Sequence, residues 1–256
     1  MAHPGAFEDG LSIAPIIDIV INIDNGGDRM LAQEAVRPGK SAEVFDGLKR
    51  MIMLGEVGPG VALLELELAQ RFLCSQGTVR EALLALQEEG LVHRQPHRGT
   101  RVADCTEDEA VEMFRLRHGI ETRGVVRVLR RPDPALLPDL KGLIEGMEAR
   151  ARAGDEYGQT ELDRAFHRRL FRAAGLPAVE PLLHRCILHN HRFKITRSGE
   201  KRDLLATARR HRTIVEALEA RDEAALVAAI GHHIETIVDF GPSLFRAAEG
   251  TRGPEA

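Results

Sequence analysis

Cysteine is scarce in this chain of 256 residues: Cys74, Cys105 and Cys186 are scattered and show no CxxC spacing. They outline neither a disulfide scaffold nor a zinc knuckle, and they read as the reduced thiols of a cytoplasmic protein. A membrane-length hydrophobic run is also missing. Residues 11–23 (LSIAPIIDIVINI) are strongly apolar but too short to span a bilayer, and Glu8 and Asp9 stand where an export signal would carry basic residues. No HExxH or GxSxG motif occurs, and no glycine-rich phosphate loop. Zinc-protease, serine-hydrolase and phosphate-loop chemistry therefore have no signature. Nor is there an excess of positive charge. A net charge of −4 argues against nonspecific coating of nucleic acid, although a local basic cluster is still compatible with specific binding.

What is present begins between Ser75 and Val102, in the run SQGTVREALLALQEEGLVHRQPHRGTRV. Ser75 is a good N-cap, Val79, Ala82, Leu83 and Leu86 form one apolar stripe, and Gly90 suits a left-handed C-terminal position. Gln76, Gly77 and Arg80 are left on the outer face near the N-terminus, where free backbone N–H groups favour phosphates and Arg80 and Gln76 have the reach to contact base edges. Two shorter helices are expected before it. One carries Val44, Phe45, Leu48, Met51 and Ile52, the other Leu64, Leu68, Ala69 and Phe72. After Gly90, Leu91–Gln95 and Thr100–Ala103 read as two short strands around a tip at Pro96–Gly99, with Arg94, Arg98 and Arg101 surrounding that tip. Three helices and a basic wing are the layout of a DNA reader.

Beyond Thr106 the chain becomes helical, with Gly and Pro breaks and almost no β-type alternation. Thr106 and Glu109 form a capping box that opens a helix running to about Arg130. Five more are expected at about Ala135–Ala153, Glu156–Ala174, Ala178–Thr196, Arg202–Ala220 and Asp222–Phe240, six in all, folding as an antiparallel bundle. The expected class is mainly α: an N-terminal winged helix-turn-helix domain with a small β-wing (41–103), then an all-α antiparallel helical-bundle ligand-binding domain (107–246). Residues 1–40 form an extension without an assigned role, in which Ile17, Ile19, Ile21 and Ile23 alternate as in a strand, and 247–256 form a flexible tail.

Histidines are the informative residues of the bundle. Asp163 and His167 lie four apart on one helix face, His211 is in line with Leu204, Ala208, Val215 and Leu218, and His233 is in line with Leu226, Ile230 and Ile237. An inward histidine is ordinarily a hydrogen-bonded core residue. One carboxylate and three inward imidazoles together instead suit a divalent metal such as zinc, nickel or manganese, with positions left for water or a ligand carboxylate. His232 competes with His233 but is displaced from the apolar line. His184, His189 and His191 are irregularly spaced and read as surface or pocket-rim residues. Arg117 sits on the helix that also carries Met113 and Ile120, and its guanidinium fork needs a carboxylate, either Glu121 within the chain or the acid group of an effector.

Two resemblances cover most of the chain. The phrases PGVALLELELAQRF, TVREALLALQEEGLV and RGTRV, from about Ser41 to Ala103, resemble the GntR family of bacterial transcription regulators. That resemblance implies DNA contacts from Gln76, Gly77, Thr78, Arg80, Arg98 and Gly99. The family often carries Ser-Arg-Thr-Pro before the VREAL phrase, whereas this chain reads Ser75, Gln76, Gly77, Thr78, so its operator is expected to differ accordingly. The phrases RLRHGIE, LDRAFHRRLFRAAG and HRTIVEALEARDEAALVAAIGHHI are similar to the helical FCD domain that often accompanies this module. In its metal-containing members an Asp, a His four residues on and two later histidines hold the ion, which implies Asp163, His167, His211 and His233 here and places Arg117 beside an effector.

The function expected is that of a cytoplasmic transcription regulator, a repressor by family habit and not an enzyme. A homodimer would read a palindromic double-stranded DNA operator, and a small carboxylate effector bound near a divalent metal would change its affinity, with no membrane partner. Two other classes stand beside it. A metal-dependent hydrolase would use the Asp/His site to activate water, though no glutamate is placed as its base. A winged-helix protein-interaction module would show no salt-dependent DNA binding.

Overall fold

The computed structural model describes residues 39–95, 99–197 and 203–236. The winged part is built from α1 (Lys40–Met53), β1 (Ala62–Leu63), α2 (Glu65–Arg71), α3 (Gln76–Glu88), β2 (Val92–Gln95) and β3 (Gly99–Val102). The Ser75 hydroxyl accepts the Thr78 backbone N–H at 3.1 Å, so α3 starts at its expected cap. Gly90 ends it with φ at +78°. Val44, Leu48, Ile52, Val79, Leu83, Leu86, Leu91 and Val102 pack into one core, the face that the apolar spacing of α1 and α3 predicts.

The three strands form an antiparallel sheet in the order β1-β3-β2, with Val92 opposite Val102 and Gln95 opposite Gly99. The two-residue β1 pairs Ala62 with Arg101 and Leu63 with Thr100. Two residues are too few for alternation to register, so this strand has no sequence signature. The remainder of the wing tip, including Pro96 and Arg98, lies outside the described residues. So do residues 1–38, with the isoleucine run, and residues from 237 onward, with the expected tail.

The bundle comprises α4 (Glu107–Val128), α5 (Leu136–Arg152), α6 (Glu156–Ala173), α7 (Glu180–Arg197), α8 (Leu204–Arg209), α9 (His211–Glu219) and α10 (Glu223–Glu235). Both halves of the Thr106–Glu109 capping box are present at the start of α4. Phe114, Leu140, Met147, Phe166, Leu170, Ile214, Leu226 and Ile230 fill the core. Six helices were expected from Thr106 on, and the described residues form seven, because the helix expected over Arg202–Ala220 breaks at Arg210 into α8 and α9. Next to the break the His211 ring reaches back to the Ala208 carbonyl at 3.1 Å. An unbroken helix offers that carbonyl to the N–H of residue 212, and the imidazole competes for it.

Two bundle helices also touch the winged core. Leu188 of α7 is fully buried within it, and Tyr157 of α6 packs on it with the Arg50 guanidinium 5.1 Å from its ring centre.

Candidate metal centre and nucleic-acid interface

The buried centre grows from three helices. Residues four apart share a face on α6, which sets Asp163 and His167 side by side. His211 opens α9 at the Arg210 break, and His233 comes from the last turn of α10. All four are buried, and one ligating atom from each lies within 4.8 Å of every other. His167 Nε2 and His233 Nε2 are 3.1 Å apart, and Asp163 Oδ1 is 3.0 Å from His211 Nε2. Phe166 packs in a T-shaped arrangement with the His211 ring, and the His211 and His233 ring centres are 4.3 Å apart.

The next layer of contacts fixes which ring nitrogen faces inward. His167 Nδ1 is 2.6 Å from Glu121 Oε2, and His211 Nδ1 is 3.1 Å from the Ala208 carbonyl. An ionised carboxylate and a carbonyl only accept, so each Nδ1 donates and each Nε2 turns its lone pair to the centre. Burial opposes ionisation of Glu121, but His167 and Arg117 outweigh it and hold the carboxyl at about 2. Asp163 is likewise penalised by burial, and His191 and His211 beside it hold it well below the usual carboxylate range. Burial pushes His167 and His233 below the ordinary imidazole value. Ionised carboxylate and neutral imidazoles are the protonation states that metal ligation requires. His211 Nε2 and Asp163 Oδ2 make no aligned hydrogen bond among the described residues. A buried carboxylate on which three buried imidazoles converge fits a divalent cation.

Arg117 is completely buried and its Nε donates to Glu121 Oε1 at 2.6 Å. The internal bridge is therefore made, yet Nη1 and Nη2 have no hydrogen-bond partner among the described residues. Two buried donors left open are what an incoming carboxylate would satisfy. A cavity reaches Asp163 and His191, with Gln159, Thr160, Lys194 and Thr207 also in its wall. Burial lowers the Lys194 ammonium to about 8.

Several residues differ from expectation. Of His184, His189 and His191, expected at the surface or a pocket rim, only His191 lines the cavity. His189 and His191 are buried, and all three have defined neighbours. His191 lines the cavity with Nε2 2.9 Å from Asp163 Oδ2, whereas His184 and His189 face the end of α3. Helical spacing brings His184, Leu188 and His191 onto one stripe and leaves His189 beside it, a pattern that the irregular spacing of the histidines concealed. Glu121 is a partner of His167 as well as of Arg117, a role that no local spacing reveals. His232 is exposed, as its displacement from the apolar line implies.

On the winged surface, Gln76, Gly77 and Arg80 are exposed at the start of α3 and Thr78 is half-buried, its hydroxyl 2.9 Å from that of Ser75. Arg80 Nε pairs with Glu65 Oε2 of α2 at 2.6 Å, with the Arg80 side chain 56% exposed. Gly99 is exposed at φ +75°. Arg101 does not join a ring of arginines at the tip, because its Nη1 donates to the Gly60 carbonyl at 2.7 Å and ties β3 to the turn before β1.

Comparison with known proteins matches residues 40–102 to the model for bacterial regulatory proteins of the gntR family and residues 112–236 to the FCD domain. The chain belongs to the GntR family. Among curated GntR-type relatives it is 28% identical over 204 residues to a probable D-xylose utilization operon transcriptional repressor of Paenarthrobacter nicotinovorans, covering 79% of this chain and 89% of that one. It is 24% identical over 199 residues to the gluconate operon transcriptional repressor of Bacillus subtilis, covering 75% and 81%. Its fold is similar to that of E. coli McbR/YncC, with a TM-score of 0.64 at 20% identity over 77% of this chain and 93% of the other. This GntR-family chain is a transcription regulator, not an enzyme. Among the described residues no helix is long and apolar enough to cross a membrane.

Proposed function

We propose that this regulator is a repressor that grips a palindromic operator as a homodimer and alters that grip when a small organic acid binds at a divalent metal in the bundle. The observation that carries the reading is the convergence of Asp163, His167, His211 and His233 on one buried point, next to a buried arginine with two open donors. Those four side chains would hold zinc, nickel or manganese. The ion would supply a positive seat for a carboxylate oxygen.

The chain's own residues do the rest. Glu121 and the Ala208 carbonyl keep the imidazoles in register, and Arg117 supplies the fork for the acid. On the DNA side, the N-terminus of α3 would meet phosphate, and Gln76, Gly77, Thr78 and Arg80 would meet the groove together with Gly99 of the wing, while the family resemblance adds Arg98 to the contact set. One short helix reads few base pairs, so a second copy on a two-fold site doubles the contacts. The acid acts only through unequal affinity for the DNA-competent and incompetent arrangements.

The test couples metal analysis of the purified protein with operator binding by fluorescence anisotropy. Sugar-derived acids come first in the titration because the relatives' names refer to gluconate and D-xylose operons. Near-stoichiometric metal that is lost in Asp163→Ala, together with an acid-dependent shift in DNA affinity, is the expected result. An unchanged affinity across all carboxylates with metal present removes the effector half. A flat dependence of binding on salt removes the DNA half, because phosphate contacts release counterions.

A further inference from the structure

We infer that His191 is the residue through which the buried centre is felt at the recognition helix, acting by positioning α7. The inference rests on reading the Asp163 centre as the ion and acid seat.

At the winged end, α7 clasps the last turn of α3. His184 Nε2 lies 3.2 Å from Glu89 Oε1, His189 Nε2 lies 3.3 Å from the Glu89 carbonyl, and Lys49 of α1 lies 2.8 Å from Glu89 Oε2. The guanidinium of Arg185, an exposed and flexible side chain, lies against Gly90 at the end of α3. Leu188 is fully buried in the winged core. Glu89 therefore joins α1, α3 and α7. At the other end of the same stripe, His191 is buried with Nε2 2.9 Å from Asp163 Oδ2. Seven helical steps lead from His184 to His191, a rise of about 10 Å, short enough for the two ends to move as one body.

The coupling has a defined physical source. Asp163 divides its two oxygens between His211 and His191. When that carboxylate lends charge to a cation, its pull on His191 weakens, and the His191–Asp163 interaction differs between the two states. Such a difference is what any coupling between sites requires. On α7, His191 has a ring nitrogen within hydrogen-bond distance of Asp163, while Lys194, one turn further from the winged core, lines the same cavity. A helix held at both ends transmits a small shift to the α3 terminus.

Hydrogen–deuterium exchange on the full chain, with zinc alone as the probe, tests this. In the wild type, zinc changes exchange both around 184–191 and around 86–91. His191→Leu retains zinc binding by calorimetry and loses the change at 86–91, while His191→Gln, which keeps a side-chain donor, restores part of it. Glu89→Gln cuts the route at its far end and also loses the response with zinc affinity unchanged. A response at 86–91 that survives in His191→Leu overturns the inference. Asp163→Asn without metal separates it from the reading beneath it. Altered exchange at 86–91 in that variant supports the route even if the wild type binds no zinc, which would remove the metal reading alone, and a change confined to 159–167 removes the route.

Discussion

The two working regions of this regulator hold their polar groups in opposite ways. At the start of α3, Gln76, Gly77 and Arg80 are exposed and owe the fold almost nothing, with Arg80 making only a surface pair with Glu65. In the bundle, Asp163, Glu121, Arg117, His167, His211 and His233 are buried, and the groups around Glu121 and Asp163 hold both carboxyls below their usual range. The difference teaches where a substitution will be felt. A surface side chain waits for a partner that water imitates well, whereas a buried charge that loses its partner has no substitute.

Removing the Arg117 guanidinium is the strongest way to break this contrast. Arg117→Ala leaves Glu121 buried with one cationic partner fewer and is expected to cost about 3 kcal/mol of stability, measured by urea unfolding. An unchanged midpoint would mean that the buried half does not depend on its charges. Arg80→Ala should do the reverse. Operator affinity is expected to fall by roughly 1–3 kcal/mol in anisotropy titrations with an unchanged melting temperature, and an altered melting temperature would blur the division.

Between these extremes stands Glu89, which belongs to the seam. Burial opposes its ionisation, but the His184 hydrogen bond and Lys49 outweigh it and depress the carboxyl from 4.5 to about 2. A depressed carboxyl stabilises the folded chain above its unfolded value, so this contribution is whole above pH 4.5 and fades as the pH falls toward 2. Urea midpoints followed downward through that window should decline less steeply in Glu89→Gln than in the wild type, and parallel curves would remove the effect.

The smallest expected change is a gain. Leu73, between α2 and α3, has φ +49° and is 87% exposed, so Leu73→Gly relieves a left-handed backbone without emptying the core. A stabilisation of up to about 1 kcal/mol is expected, since the loss of chain stiffness in glycine offsets part of the relief. A loss of stability would show that the exposed leucine is itself a contact.

Legibility in the sequence followed the range of the interactions. Ser75 and Thr106 cap helices within three residues, Gly90 ends one, and Asp163 and His167 share a face, so each announced itself locally. His211 and His233 were readable because their helices have apolar lines that include them. Glu121 and His191 were not readable in their roles, since each meets its partner across packed helices: Glu121 lies 46 positions from His167, and His191 sits on a different helix from Asp163. The break at Arg210 was hidden for a related reason, because a side chain competing for a carbonyl leaves helix propensity unchanged. The two-residue β1 exists only because β3 offers it an edge.

Gly90 is constrained by its own left-handed backbone, and the Arg185 guanidinium of the bundle rests against it. Modularity has a limit at that point. A chimaera that fits this bundle with the winged half of another family member inherits a foreign helix end against Arg185, so the part to be transplanted is the winged half together with the face of α7 from His184 to His191. The seam, more than the linker joining the halves, is the natural unit of exchange.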